Sequence, residues 1–215
     1  MTYKAKFAYQ DKKTVETYDI SRFKKIKGKI DNYLELWLIA KALKIARISP
    51  PASILDVPCG TGRLTLFLSK KGYAVTGIDI SLEMVKFTNR ILAKNLVNSP
   101  NNAIVGNAES LPFLDNSFDA TVSLRLLGHV PPSHRFLIIH ELKRVSKHYV
   151  ILAYYDRLSF QYFLRKRKRR FDEWYPTTFR EIKFELMEAD LRIIKILPLF
   201  FKISETVIVL STKTR

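Results

Sequence analysis

Cysteine is almost missing from this chain, and glycine is scarce: one cysteine, Cys59, and seven glycines stand among 215 residues. A lone thiol excludes an internal disulfide framework and a cysteine-rich zinc site, and it fits a reducing, cytoplasmic setting. Long apolar runs are lacking as well. The most apolar stretch, Ile193 to Ile203, is interrupted by Lys195, Pro198 and Lys202 and is too short to span a bilayer. Met1 to Ile30 is studded with lysine and has no uninterrupted apolar core, unlike a signal peptide. The expectation is a soluble protein. Acidic residues are few: 20 against 37 basic ones, a net charge of +17. That balance favours anionic partners such as nucleic acid, acidic lipid headgroups or phosphorylated small molecules. A lysine- and isoleucine-rich composition set by the host's proteome or a hot habitat gives the same balance. There is no internal repeat. Hydrophobic residues make up 47%, enough for a substantial core, and the length suits one α/β domain with a modest extra element.

What is present is organised around Ser53 to Ser81. An apolar strand (Ile54, Leu55, Val57) leads into the loop Cys59-Gly60-Thr61-Gly62. A short helix follows, Arg63 to Lys70, then a second strand, Tyr73 to Ile78, ending on Asp79. Both the loop and Asp79 fall at the carboxyl ends of their strands, the edge where open parallel sheets bind ligands. Two glycines around one residue let backbone come close to a bound molecule, because no Cβ intervenes. An acid at the end of the second strand can accept from both hydroxyls of a ribose. The unit predicts a nucleoside-containing ligand. A dinucleotide fingerprint wants a third glycine where Thr65 stands. Asp56 also precedes the loop, unfavourable beside a pyrophosphate and favourable beside an ammonium group. S-adenosylmethionine carries an ammonium and a sulfonium and no phosphate.

LDVPCGTGR (Leu55 to Arg63) and GIDIS (Gly77 to Ser81) resemble the first two motifs of class I S-adenosylmethionine-dependent methyltransferases, in the branch of the ubiquinone and menaquinone biosynthesis enzymes. Asn107 to Phe113 and Asp115 to Asp119 resemble that family's third motif and the stretch before its fourth strand. The resemblance implies a Rossmann-like α/β fold: seven strands, mostly parallel, helices on both faces and an antiparallel last strand. It implies S-adenosylmethionine as cofactor, with Asp56, Pro58, Gly60, Thr61 and Gly62 forming the loop side. Asp79, Ile80 and Met84 would face the ribose and adenine. Asn107, Ala108 and Glu109 would hold the far side of the adenine, and Arg125 the carboxyl end of the fourth strand. Asn107 stands where the family usually has aspartate; its amide oxygen still accepts, without charge assistance.

The remainder is read in order. Residues 1–30 form an irregular basic and aromatic arm, and Tyr18, with Asp19 and Arg22, resembles the family's lid over the cofactor. The methyltransferase domain then fills 31–215. Asp31 to Arg47 reads as a helix with Asp31 as N-cap and Leu34, Trp37, Leu38 and Ile45 on the buried face. Ser81 caps a helix from Leu82 to about Ala93. Ala103 to Gly106 and Ser117 to Leu124 are the third and fourth strands. His129, in the loop beyond, is the candidate acid or base, with a structural role open beside it. A helix from Ser133 to Val145 carries Phe136, Ile139 and Leu142 inward, and Lys147 to Tyr155 is the fifth strand. Tyr154 and Tyr155 are candidate contacts for the methyl acceptor, a small molecule such as a lipid, quinone or saccharide.

An insertion at about 156–176 follows, where such enzymes place specificity elements. Ser159 caps its helix, and six consecutive basic residues, Arg165 to Arg170, come among Phe160, Phe163, Phe171, Trp174 and Tyr175. That run suits an anionic acceptor, nucleic acid or an anionic membrane surface; a solvated face is the alternative. The charge keeps an RNA methyltransferase open, and Asn107 in place of the family's aspartate keeps open a non-catalytic cofactor-binding partner. Thr178 and Glu181 make a capping box for a helix with Phe179, Ile182 and Leu186 on one face. Two strands, about Leu191 to Leu197 and Glu205 to Ser211, close the chain. His134 and His140 have no partner at metal spacing, so no metal site is assigned.

Overall fold

A computed structural model describes residues 9–23, 26–96, 101–166, 174–200 and 204–214, with 19–23 and 165–166 described by backbone alone. Its centre is one sheet. The strands β1 (Ser53–Asp56), β2 (Ala74–Asp79), β3 (Asn102–Val105), β4 (Phe118–Ser123) and β5 (Ser146–Tyr155) pair in parallel. The last strand, β7 (Thr206–Lys213), runs antiparallel between β5 and β6 (Leu191–Pro198). The seven-stranded order is β3-β2-β1-β4-β5-β7-β6. The chain leaves β1 toward β2 on one side and returns to β4 on the other. The crevice at that reversal lies over the carboxyl ends of β1 and β4, where open α/β sheets hold ligands.

Side chains on a strand alternate between faces, so a doubly covered sheet needs two cores. Ile54 joins one and Leu55 the other; on β5, Ile151 and Ala153 face opposite to Val150, Leu152 and Tyr154. One core is closed by α2 (Ile26–Ile45) and α3 (Arg63–Lys70), through Leu38, Ile39, Leu43, Leu64 and Leu68. The other is closed by α5 (Pro132–Val145) and α7 (Phe179–Glu188), through Ile138, Ile139, Leu142, Ile182 and Leu186. α4 (Leu82–Asn95) packs along β2 and β3, and α6 (Phe160–Lys166) follows β5.

Several boundaries differ from the expectation. The entry segment is helical: α1 (Lys12–Phe23) precedes α2, and it escaped periodicity because Val15 is its one buried apolar residue among those described. α2 starts five residues before Asp31, which sits inside the helix paired with Lys27 at 2.7 Å and caps nothing. The buried face of α2 is accordingly Leu36, Leu38, Ile39, Ala42 and Leu43. Trp37 and Ile45 are exposed, the indole lying under the Lys41 ammonium at 4.9 Å. Phe136 and Phe179 are exposed too, one residue off the stripes that α5 and α7 bury. The Thr178–Glu181 capping box is formed in both directions.

Candidate active site

The loop after β1 takes its shape from its two glycines. Gly60 has φ +53° and Gly62 φ +77°, a left-handed region where a Cβ costs energy. Their surroundings differ. A Cβ on Gly62 would lie 2.8 Å from the Thr88 methyl, whereas one on Gly60 would meet no atom within 4 Å. Gly62 is therefore needed for packing, and Gly60 borders open space. The loop is fastened on all sides: Cys59 N–H donates to Ile78 O at 2.9 Å, Gly62 N–H to Cys59 O at 2.9 Å, and the Thr88 hydroxyl to Gly60 O at 2.8 Å.

Two buried carboxylates belong to this corner, Asp79 against Gly60 and Asp56 at the end of β1. Asp79, buried at the end of β2, accepts from Gly60 N–H at 3.0 Å and from Ser81 N–H at 2.9 Å, one bond on each oxygen. A carboxylate oxygen has two acceptor sites, so each retains one. Burial raises the Asp79 pKa against the lowering effect of those amides. Asp56 is more deeply buried. Its Oδ2 accepts from the Thr65 hydroxyl at 2.7 Å, and its Oδ1 has no hydrogen-bond partner. Burial pushes its pKa up to about 7, eased by the Thr65 hydroxyl and by Arg63. An orphaned buried acceptor calls for a ligand donor, and an ammonium group meets that need.

The other expected cofactor residues lie around this edge. Thr61 is buried in the loop, and Pro58 is half-buried before it. Met84 is buried on the first turn of α4, whose N-cap Ser81 accepts from Met84 N–H at 3.2 Å, and Ile80 is partly exposed between them. The Ser81 hydroxyl also donates to Tyr9 O, and the Tyr9 ring stands edge-on to Tyr18 at 5.2 Å. The entry segment thus reaches the Asp79 corner. Past β3, Asn107 Oδ1 accepts from Glu109 N–H at 3.1 Å, so one of its acceptor sites shapes its own turn, which also contains Ala108. The Glu109 carboxylate meets His134 Nδ1 at 3.1 Å. Arg125, with φ +62° just after β4, bonds the buried Glu35 carboxylate of α2 through Nε at 2.7 Å. That contact ties the helix to the sheet edge.

Beyond β4, residues Leu127–His129 make a 3-10 turn whose His129 N–H donates to Leu126 O at 2.8 Å. The His129 ring is edge-on to Tyr155 at 5.8 Å; Tyr155 adjoins Trp174 at 6.0 Å, and Trp174 adjoins Tyr162 of α6 at 5.3 Å. A Cβ on Gly128 would run into the Tyr155 ring, so the turn and the ring are in direct contact. Tyr154 does not join this wall. Strand alternation turns it into the opposite core, fully buried, where burial and the Glu185 carboxylate hold its phenol protonated. It is therefore corrected from an acceptor contact to a core residue. The run Arg165 to Arg170 lies outside the residues described with side chains. Among the described residues no cluster of His, Cys, Asp or Glu is placed to hold a metal ion, and no helix is long and apolar enough to cross a membrane.

Thr65, Thr88, Glu35 and Ser81 complete the bonding at this edge, and of these the sequence singled out Ser81, as a helix cap, and Thr65. Thr65 is the residue that broke the dinucleotide fingerprint, and it is what holds Asp56.

Residues 54–148 match the family model described as "Methyltransferase domain". The chain is 38% identical over 115 residues to a demethylmenaquinone methyltransferase of Desulfitobacterium hafniense, covering 50% of this chain and 43% of that protein. It is 37% identical over 139 residues to an uncharacterized protein of Methanocaldococcus jannaschii, covering 65% and 46%. The chain thus spans less than half the length of these curated relatives. Among solved structures, magnesium protoporphyrin IX methyltransferase from Synechocystis with bound SAH superposes with a TM-score of 0.76 at 16% identity, over 94% of this chain and 98% of that one, a likeness of fold. A SAM-dependent methyltransferase from Methanosarcina mazei superposes with a TM-score of 0.64 at 27% identity, over 75% and 92%. The loop, the two acids and these matches agree: residues 54–148 resemble the methyltransferase domain family, and the chain has the class I fold.

Proposed function

We propose that this chain moves a methyl group from S-adenosylmethionine to a small-molecule acceptor with an apolar or aromatic surface. The observation that carries the reading is the open space at Gly60 beside the Asp79 carboxylate, with the unpartnered Asp56 oxygen buried at the start of the same loop. When bound there, S-adenosylmethionine supplies a sulfonium methyl open to in-line displacement. The residues of this chain do the rest. Asp79 offers its two remaining acceptor sites to ribose hydroxyls. Asp56 offers Oδ1 to the ammonium, and its ionisation follows once that charge is near. Met84 gives a polarizable contact for the adenine, and the Asn107–Ala108 turn offers an amide oxygen and an N–H. Tyr18, close to the Ser81 corner through Tyr9, belongs to the covering segment.

On the acceptor side the wall is His129, Tyr155, Trp174 and Tyr162. Aromatic rings of that kind suit an apolar, flat or isoprenoid-like molecule better than a sugar. His129 is assigned to take the proton from the acceptor as the new bond forms, or to orient it. Relatives named for quinones and a neighbour named for a porphyrin agree with this acceptor class by analogy. Calorimetry with S-adenosylmethionine, followed by mass spectrometry of a cell extract incubated with methyl-labelled cofactor, tests the proposal. Binding and a labelled apolar product are expected. No binding at millimolar cofactor would overturn it.

A further inference from the structure

The helix α6 is amphipathic in the wrong sense for a protein surface. Phe160, Phe163 and Leu164 recur at helical spacing on its outer side and are 58%, 60% and 49% exposed, with Leu158 just before them 72% exposed. Its inner side carries Gln161 and Tyr162, and Tyr162 turns inward onto Trp174. The stripe is held outward by a well-bonded base. Asp156 N–H donates to Glu205 O at 2.6 Å, Arg157 N–H to Thr177 O at 3.0 Å, and Leu158 N–H to Asp156 Oδ1 at 2.9 Å. Ser159 then caps the helix, accepting from Tyr162 N–H at 3.2 Å. A fixed, apolar, outward stripe marks an interaction surface.

Charge selects the occupant. In the sequence the stripe is followed by six basic residues, Arg165 to Arg170, and the chain carries a net charge of +17. A second copy seated on this face would bring two strongly basic chains together, which repel. RNA would satisfy the charge but leave Leu158 and Leu164 against a polar backbone, with no polar side chain in the stripe to read it. An anionic lipid surface satisfies both features, apolar side chains entering the acyl boundary and basic ones meeting headgroups.

We propose that the outer face of α6 docks on an anionic lipid surface. The inference stands on this face alone and does not need the acceptor reading. Its position is nonetheless apt: the inner side of the same helix begins the aromatic wall that runs through Trp174 and Tyr155 to His129.

The test is co-sedimentation of the full chain with vesicles of phosphatidylcholine, with and without phosphatidylglycerol. Binding to the mixed vesicles and none to pure phosphatidylcholine is expected. Phe160→Ser with Phe163→Ser is expected to weaken that binding roughly tenfold or more, with melting temperature and cofactor affinity unchanged. Leu158→Ser with Leu164→Ser serves as an independent pair. Full binding by both pairs would mean that charge alone acts and overturns the proposal. So would absence of vesicle binding by the parent chain, with or without binding to single-stranded RNA. So would a dimer in sedimentation that the Phe160/Phe163 pair converts to monomer. Loss of methyl transfer without loss of vesicle binding would count against the acceptor reading and leave this one intact.

Discussion

Gly60 N–H and Asp79 Oδ2 are 3.0 Å apart, a hydrogen bond that joins the loop after β1 to the end of β2. The same carboxylate holds Ser81 N–H and so sets the start of α4. Asp79 therefore builds the pocket as well as lining it. Asp79→Ala is expected to lower cofactor affinity and unfolding free energy together, each by roughly 1–3 kcal/mol, the scale of a buried amide left unsatisfied. Asp79→Asn keeps one acceptor and is expected to fall between. Calorimetry and denaturant titration check both; unchanged affinity in Asp79→Ala would remove it from the ribose site.

The two loop glycines are expected to fail differently. Gly62→Ala combines φ +77° with a contact at 2.8 Å to Thr88, so it is expected to destabilise the fold. Gly60→Ala meets no atom and carries only the left-handed cost of about 1–2 kcal/mol. Its methyl would stand in the ligand's space. Melting curves are expected to single out Gly62→Ala, and cofactor binding by the folded remainder to single out Gly60→Ala.

Asp56 makes a pH prediction. Its pKa is raised from 3.8 to about 7 by burial, so its contribution to the stability of the ligand-free protein is fully present below the unfolded value. That contribution is lost as pH rises through about 7, a change on the order of 4 kcal/mol at 1.36 kcal/mol per unit. Asp56→Asn is expected to flatten this part of the stability curve in urea titrations. Cofactor affinity is expected to run the other way, increasing with pH as the carboxyl ionises. An Asp56→Asn protein with the parent's pH profile would refute the assignment.

Arg125 and Glu35 form a mostly buried ion pair between β4's end and α2. Removing one partner leaves a buried charge, so Glu35→Leu is expected to cost about 3–5 kcal/mol. Arg125→Met added to it is expected to restore part of that loss. Denaturant midpoints of the two singles and the double decide; strict additivity would mean the pair is not coupled.

For His129 the expectation is a fall in kcat of about a hundredfold or more in His129→Ala, with cofactor affinity unchanged. The ring also contacts Tyr155, so a packing role predicts a lower melting temperature instead, with turnover retained. Steady-state kinetics beside thermal unfolding separate the two.

The β1–loop–α3–β2 unit was legible because its information is local. Glycine spacing and strand-end acids lie within thirty residues, and α3 runs over Arg63–Lys70 as read. The Thr178–Glu181 capping box is local too. Trp37 stands between buried Leu36 and Leu38 at the margin of the α2 stripe, so helical spacing alone does not separate it from the core, and its indole lies beside Lys41. Tyr154 and Tyr155 looked alike in sequence, and only the pleat separates them. Thr88 on Gly60 and Arg125 on Glu35 act across 28 and 90 residues, contacts that no spacing rule reaches.

Ser81 closes three bonds at once: its N–H on Asp79, its hydroxyl oxygen under Met84 N–H, and its hydroxyl hydrogen on Tyr9 O. The segment at Tyr9 is thereby latched to the acid at the end of β2. One residue, Ser81, joins the Asp79 carboxylate to Tyr9, by its backbone N–H on one side and its hydroxyl on the other. Amide exchange in the segment leading into α1 is therefore expected to slow when a ligand fills the pocket, more than seventy residues away in sequence.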